Sequence, residues 1–159
     1  MNGDPRGLLV ECGFEPAALE LLSTPDGRPV VEDPGTGFAN AESTQRPPYG
    51  FGPFCRFKVP SAPASAGVYA FVVDEVLVYA GISANRRHRL NQEYGRISPR
   101  NCFEGGPRTT CRVNSLLCRA AMAGIWITLL LKQTPGPREL ERVLITSLRP
   151  AWNLQRSTA

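Results

Sequence analysis

The chain has 159 residues and a net charge of +4, and 42% of its residues are hydrophobic, enough for one domain with a core. No stretch approaches the roughly 18 apolar residues that a membrane-spanning helix needs, and the polar, acidic first residues predict no signal peptide. The five cysteines include no C-x-x-C pair and so favour free thiols over a disulfide framework. We therefore expect a soluble, cytoplasmic protein without membrane contacts.

Charge is distributed unevenly along the chain. Residues 1–66 carry five Lys or Arg and eight Asp or Glu, whereas residues 82–159 carry thirteen basic and four acidic side chains. Twelve of these thirteen basic residues are arginines, whose planar guanidinium groups bind phosphate oxygens in pairs. The second half of the chain therefore favours a nucleic acid as partner. An arginine content set by genome composition is the alternative explanation.

The first 66 residues give few strong structural signals. Gly13 and Pro16 divide an apolar run into a short helix and a candidate strand, and residues 25–27 (Pro-Asp-Gly) predict a turn. Residues 33–53 are rich in Gly, Pro, Ser, Thr and Asn, which predicts a long surface loop or a linker. The aromatic residues expected to anchor this loop on the core are Tyr49, Phe51, Phe54 and Phe57.

Stronger signals follow Ala66, in the order β-β-α-α-β-α. The predicted elements are strands at 67–73 and 76–81, a helix at 84–94, a Gly- and Arg-rich loop at 95–111, a helix at 112–122, a strand at 125–132 and a last helix between Pro135 and Pro150. The third strand is apolar enough to be central in a sheet. The predicted fold class is α+β, with a small three-stranded antiparallel sheet flanked by helices and an N-terminal extension.

The first predicted hairpin, GVYAFVVDEVLVYAG at 67–81, contains Tyr69 and Tyr79. These tyrosines are either half-buried core residues or two phenols that face one substrate. A plain two-residue turn at residues 74–75 would pair Tyr69 with Ala80 and place the phenols on opposite faces. A shared site therefore requires a loop of odd length or a bulge, and we predict one of these.

The last helix places a carboxylate on its apolar side. At about 100° per residue, Glu141 falls within the arc of the leucines, whereas Glu139 falls outside it with the solvent-facing groups. A carboxylate on the packed side of a helix costs several kcal/mol unless a cation or hydrogen-bond donors satisfy it. The partner of Glu141 is therefore an arginine or a metal ion, and the pattern alone does not decide between them.

Together these residues resemble the GIY-YIG nuclease domain. The matching positions are Gly67-Val-Tyr69, Tyr79-Ala-Gly81, Arg89 ten residues after Tyr79, Glu141 on a late helix and Asn153 in RPAWN. The spacings are similar to those in the cleavage domain of the bacterial excision-repair C subunit, and they cover residues 67–153. Residues 1–66 form an extension without an assigned role, and residues 154–159 form a tail.

The resemblance implies hydrolysis of DNA phosphodiester bonds with one Mg²⁺ or Mn²⁺ ion per active site, held by Glu141. It also implies that Tyr69 orients or deprotonates the attacking water and that Tyr79 donates a hydrogen bond at the phosphate. Arg89 would stabilise the developing negative charge, and Asn153 would tie the chain end back beside the site. Because a phenol with a pKa near 10 is a poor base, the metal or nearby cations must activate it.

The sequence departs from the family pattern one helical turn after Arg89. Related domains often have a His or Tyr four residues after this arginine, where the present chain has Glu93, an i,i+4 partner for Arg89. Tyr94 takes the role through a shifted turn, His88 substitutes, or the role is absent; we favour Tyr94. A basic residue often found just after the second Gly is replaced by Ile82-Ser83.

We therefore predict a metal-dependent DNA endonuclease, as a stand-alone restriction-type or mobile-element enzyme. The alternatives are a catalytically silent DNA-binding module of the same fold and an RNA-directed nuclease. A homodimer is expected if the enzyme makes double-strand breaks. The side chains expected to bind DNA are Arg86, Arg87, His88, Arg96, Arg100, Arg108 and Arg112.

Overall fold

The computed structural model describes residues 3–154. Four strands of unequal length form an antiparallel sheet. They are β1 Glu15–Ala17, β4 Gly67–Val73, β5 Val76–Ser83 and β6 Ile127–Gln133, and β2 Glu20–Leu21 pairs separately with β3 Phe57–Lys58. The order in the larger sheet is β1-β6-β4-β5, so β6 is central as predicted. The prediction of three strands was one short, because β1 from the N-terminal extension pairs with the outer edge of β6.

The helices are α1 Pro5–Glu11, α2 Arg86–His88, α3 Arg108–Met122 and α4 Pro137–Leu148, and α2 continues as a π-helix over Arg89–Tyr94. Short 3-10 turns lie at Pro34–Gly37, Pro48–Gly50 and Pro99–Cys102. From β4 onward the predicted element order is confirmed, and α3 begins four residues earlier than predicted. None of the helices within residues 3–154 has the length and apolar character needed to cross a bilayer.

The described residues fall into two compact units. The sheet unit contains residues 3–18, 61–87 and 126–154, and the second unit contains residues 19–60 and 88–125. Residues of the predicted extension contribute to both units. The division into an extension at 1–66 and a nuclease domain at 67–153 stays a prediction about function. Of the predicted tail, residues 155–159 lie outside the part of the chain that the structure describes.

A β-bulge sets the register of the β4–β5 hairpin. The strands are joined by a two-residue turn at Asp74 and Glu75, whose φ angles of 52° and 62° are those of a type I′ turn. Val73 pairs with Val76 next to the turn, but the register then shifts by one residue between Val72 and Phe71. The additional residue is Val78, which gives β5 one residue more than β4.

Beyond the bulge, Phe71 pairs with Tyr79 and Tyr69 pairs with Gly81. Because side chains alternate between the two faces of a strand, Tyr69, Phe71 and Tyr79 all lie on one face of the sheet. The prediction of an odd-length loop or a bulge is therefore confirmed by a bulge, and the two phenols share a face.

The opposite face of the sheet forms the core of the sheet unit with α1 and α4. The buried members of this cluster are Leu9, Phe14, Val68, Ala70, Val72, Leu77, Ala80, Leu130 and Leu144. Leu140 and Leu148 of α4 pack against this cluster, one helical turn before and one helical turn after Leu144. Two of the nine buried residues come from the first 14 residues of the chain, so the N-terminal segment is an integral part of this core.

The second unit has its own apolar core. Its buried residues are Phe54, Ile97, Cys102, Phe103 and Cys111, and Phe38, Ala41 and Tyr49 pack against them. The segment predicted as a surface loop or linker is thus packed onto this core through its aromatic side chains. Three of the four predicted anchors behave as expected, while Phe51 is 60% exposed.

Adjacent leucines of α1 provide a direct test of this core. Leu9 is 1% exposed within the sheet core, whereas Leu8 is 48% exposed. Leu9→Ala is expected to lower the free energy of unfolding by about 2–5 kcal/mol, because it leaves a cavity. Leu8→Ala should change it by less than about 1 kcal/mol. Urea denaturation measures both, and equal losses would contradict the packing described.

Candidate active site

Three aromatic rings cluster on the phenol face of the sheet. The ring centroids of Tyr69 and Tyr79 lie 6.2 Å apart at an interplanar angle of 29°, and Phe71 lies within 6.5 Å of both. Tyr69 is 2% exposed and Tyr79 is 8% exposed. The β-sheet therefore holds both phenols close together in a buried, packed arrangement.

Two glycines make room for large side chains on this face. A Cβ atom at Gly81 would overlap the ring and hydroxyl of Tyr69, so the tyrosine lies across the glycine that pairs with it. A Cβ at Gly67 would lie 2.7 Å from the Nε and Cζ atoms of Arg86. The glycines of the GVY and YAG triplets are thus required by close approach of side chains rather than by unusual backbone angles.

Arg86 is a correction to the predicted DNA-binding set. It is 1% exposed, its Nε donates to the Ser65 carbonyl at 3.1 Å, and its Nη2 donates to Ser65 Oγ at 3.0 Å. Burial lowers the pKa of its guanidinium group. A side chain in this position cannot reach a DNA backbone, so Arg86 supports the start of β4 from within the sheet unit.

Glu141 lies in the second turn of α4, half-buried beside the leucines that enter the core. Burial raises the pKa of its carboxyl group, and the charge of Arg138 opposes that shift. Among the described residues its side chain makes no hydrogen bond or ion pair. Within residues 3–154, Arg138 therefore acts on Glu141 only through its charge, without the hydrogen-bonded arginine partner considered from the sequence.

Glu139 provides the contrast that the sequence predicted. It is exposed, and its carboxylate accepts hydrogen bonds from Arg142 at 2.5 and 3.2 Å. Hydrogen bonding and the charge of Arg142 lower the pKa of Glu139. The helix thus carries one surface carboxylate with a partner and one half-buried carboxylate without one.

Asn153 forms hydrogen bonds with the backbone at the outer edge of β5. Its Oδ1 accepts a hydrogen bond from Ala80 N at 2.9 Å, and its Nδ2 donates to Ala80 O at 2.8 Å. Trp152 N donates to Val78 O, the carbonyl of the bulge residue, at 2.8 Å. Residues 152–153 are thus tied next to Tyr79, which agrees with the position expected for Asn153.

Arg89 and Glu93 form an ion pair in the second unit. Arg89 Nη1 lies 2.8 Å from Glu93 Oε2, the i,i+4 contact expected from the sequence, and both side chains are partly exposed. Arg89 Nε is buried without a hydrogen-bond partner in the structure. His88 is largely exposed, with its Nε2 3.8 Å from Glu93 Oε1.

Tyr94 is the last residue of a π-helical turn. Such a turn contains one residue more than an α-helical turn, as the shifted-turn hypothesis for Tyr94 requires. Gly95 N donates to Leu90 O at 2.8 Å, an i→i+5 bond, and the π-helix spans Arg89–Tyr94. Tyr94 is 2% exposed, so its ring is held inside the second unit. The role of Tyr94 stays a prediction, and the sequence pattern contained no signal that distinguished a π-turn from an α-turn.

The remaining predicted DNA-binding arginines differ in how they are held. Arg87 is exposed and its Nε donates to Ala62 O at 2.9 Å. Arg100 is exposed, donates to Glu104 O and lies over the ring of Phe38. Arg96 and Arg108 are exposed and form no hydrogen bond or ion pair within residues 3–154. Arg112 is partly buried.

No cluster of three or more His, Cys, Asp or Glu side chains suited to a metal occurs within residues 3–154. Burial raises the pKa of the Cys111 thiol to about 12, and it also raises the pKa of Cys55, Cys102 and Cys118. Protonated thiols are poor metal ligands. Because Glu141 belongs to no cluster of three metal-binding side chains within residues 3–154, an ion there would take most of its ligands from water and substrate oxygens.

No family model matches the sequence, and no curated protein sequence matches it either. Among solved structures, the chain is similar to a glutamate-to-alanine mutant of bacteriophage T4 EndoII, with 16% identity and a TM-score of 0.58. The match covers 96% of this chain and 100% of that chain. The chain has the GIY-YIG fold. The structural match extends beyond residues 67–153, on which the sequence resemblance rested.

Two features of this chain were not predicted from the sequence: the asparagines that bind backbone groups, and the burial of Arg86. Asn91 and Asn114 each bind backbone groups of the segment before β4, and Asn114 is fully buried in α3. An asparagine in the middle of a helix is unfavourable unless its amide finds partners, which was the available signal. The burial of Arg86 gave no signal, because a charged residue in an arginine-rich segment is expected at the surface.

The raised pKa of Glu141 predicts how stability depends on pH. An acid whose pKa is raised on folding stabilises the fold below its unfolded pKa of about 4.3, and this contribution is lost as pH rises through the folded pKa. Glu141→Gln should therefore raise the melting temperature near pH 7 and have little effect near pH 4. Glu139→Gln should lower it slightly near pH 7, because the pKa of Glu139 is lowered. Calorimetry at both pH values tests this, and the same sign for both variants would contradict it.

Proposed function

We propose that this protein is a metal-dependent DNA endonuclease of the GIY-YIG type. The observation that carries the proposal is the bulge at Val78, which places Tyr69 and Tyr79 on one face although the turn beside them has two residues. The half-buried Glu141 without an ion pair among the described residues supports the same function. The likeness to T4 EndoII, a phage nuclease, adds support at the level of the fold.

The resemblance assigns a role to each residue in the reaction. Tyr69 orients or deprotonates the attacking water, and Tyr79 donates a hydrogen bond to an oxygen of the reacting phosphate. Arg89 stabilises the negative charge that develops on the phosphate. Asn153 keeps the edge of β5 in place beside Tyr79 through its two hydrogen bonds with Ala80.

Glu141 is the residue proposed to hold the divalent ion, with Mg²⁺ or Mn²⁺ supplying Lewis-acid chemistry at the phosphate when bound. The carboxylate fits a cation because its burial raises its pKa and no cationic side chain pairs with it within residues 3–154. A single carboxylate binds magnesium weakly. We therefore propose weak metal binding by the free protein and firm binding when DNA phosphates complete the coordination.

The proposed biological setting is a stand-alone restriction-type or mobile-element enzyme. The competing functions are a catalytically silent DNA-binding module and an RNA-directed nuclease. A plasmid and a structured RNA of similar length, each incubated with the protein and Mg²⁺, distinguish the three. Conversion of supercoiled plasmid directly to linear DNA would indicate cutting of both strands, as expected of a homodimer, whereas nicked circles would indicate cutting of one strand.

The two glutamates of α4 give the sharpest test of the catalytic assignment. Glu141→Gln should reduce plasmid cleavage by roughly 10³-fold or more, because Lewis-acid catalysis contributes several kcal/mol. DNA affinity should change little, since glutamine keeps the shape of the side chain. Glu139→Gln should cleave at the wild-type rate. Single-turnover cleavage and fluorescence anisotropy measure these quantities, and substantial cleavage by Glu141→Gln would rule out the assignment.

The exposed arginines of residues 95–111 are proposed to contact DNA phosphates. Replacing both Arg100 and Arg108 by Ala should weaken binding and reduce the slope of log K against log salt by about 1.8, at about 0.9 per phosphate contact. Arg28→Ala serves as control, because Arg28 is exposed in the acidic half of the chain and paired with Asp26. An unchanged salt slope for the double variant would show that these two arginines do not contact DNA phosphates.

A further inference from the structure

In the second unit, one edge of residues 55–59 faces helical residues. Along that edge, the backbone groups of every second residue form hydrogen bonds with them. Asn114 Oδ1 accepts from Cys55 N at 3.1 Å, and Asn114 Nδ2 donates to Cys55 O at 2.8 Å. Phe57 N donates to Gly95 O at 3.0 Å. The other edge of this segment pairs with β2, so residues 55–59 lie between a strand and the helical residues.

Val59 is held in the same way by a second asparagine. Asn91 Oδ1 accepts from Val59 N at 2.6 Å, and Asn91 Nδ2 donates to Val59 O at 3.2 Å. Two side-chain amides thus replace the neighbouring strand that this edge lacks. A side-chain amide can do this because it presents a donor and an acceptor with the geometry of a peptide group.

Both asparagines are also linked to the π-helix that carries Arg89. Asn91 is part of that helix, and Asn114 Nδ2 donates a further hydrogen bond to Tyr94 O at 2.6 Å. Gly95, which ends the helix, is so close to the segment that a Cβ would overlap the Phe57 carbonyl oxygen. The i→i+5 turn is therefore fixed at its middle and at its end.

The consequence of this arrangement is geometric. In an α-helix each residue is rotated by about 100°, so loss of the π-turn would rotate the residues beyond it by about that angle relative to Arg89. Arg89 Nη1 contacts Glu93, and Arg89 Nε has no hydrogen-bond partner within residues 3–154. The orientation of Arg89 and Tyr94 in the second unit thus depends on the helix keeping its i→i+5 form.

We propose that Asn91 and Asn114 are positioning residues that hold the π-helix on residues 55–59 and thereby set the orientation of Arg89 and Tyr94. This gives a role to part of the segment that precedes the hairpin. The catalytic consequence of the proposal depends on the proposed function, but the hydrogen-bonded coupling does not.

The coupling is tested without any DNA by hydrogen–deuterium exchange. Asn91→Ala should accelerate exchange of the Val59 amide at least about tenfold, and it should also accelerate exchange in residues 89–95. Asn114→Ala should do the same for Cys55 and for residues 89–95. Asn40→Ala is the control, because Asn40 is exposed and its side chain makes no hydrogen bond described in the structure. Unchanged exchange in residues 89–95 for both variants would overturn the proposal.

The catalytic arm is a double-mutant cycle between Asn91 and Arg89. Asn91→Ala should lower kcat by roughly 10- to 100-fold with little change in KM for DNA, as expected when a reacting group is misplaced. In an Arg89→Ala background the same change should lower kcat less than twofold, because it acts through Arg89. Additive losses would show a purely structural role for Asn91 and overturn the proposal. If the wild-type protein cleaves no nucleic acid, the proposed function fails and the exchange experiment alone decides the coupling.

Discussion

The single additional residue in β5 controls the arrangement of the sheet unit. Because strand side chains alternate with a period of two, a hairpin without the bulge would turn Tyr79 toward the face that packs on α1 and α4. With the bulge, the small Ala80 occupies that face opposite Ala70, and the helices can approach the sheet closely. The aromatic side chains are then gathered on the other face. The same one-residue shift therefore allows both close helix packing and a pair of adjacent phenols.

Three asparagines bind backbone groups along extended edges that have no neighbouring strand there. Asn153 binds both backbone groups of Ala80 at the edge of β5, and Asn91 and Asn114 do the same for residues 55–59. An exposed strand edge invites pairing with another chain, and a bidentate amide blocks it locally. Each amide also ties a distant part of the sequence to a strand next to a candidate catalytic residue. Edge protection and positioning thus use the same interaction.

The charged groups divide into those with partners and those without, and the difference separates structural from functional candidates. Arg86 is buried but bonded to Ser65, so it needs nothing from outside the protein. Glu141 is half-buried with a raised pKa and without an ion pair in the part of the chain described. Half-buried carboxylates that lack a partner cost stability, and proteins retain such a cost where chemistry requires it. The difference between the two carboxylates of α4 supports the proposal, made above, that Glu141 rather than Glu139 holds the metal ion.

The sequence by itself determined the strand at 67–73 and the contrast between Glu141 and Glu139, because the first depends on a local run of strand-forming apolar residues and the second on helical phase. Helical phase did not determine how wide the buried side of α4 is: Val143 is an apolar residue of this helix, yet it is 44% exposed, because packing decides that width. Tertiary structure alone decided the burial of Arg86, which depends on the space above Gly67, a residue 19 positions earlier. It also decided the π-turn after Arg89, because hydrogen bonds from distant residues, rather than the helix's own sequence, hold that turn.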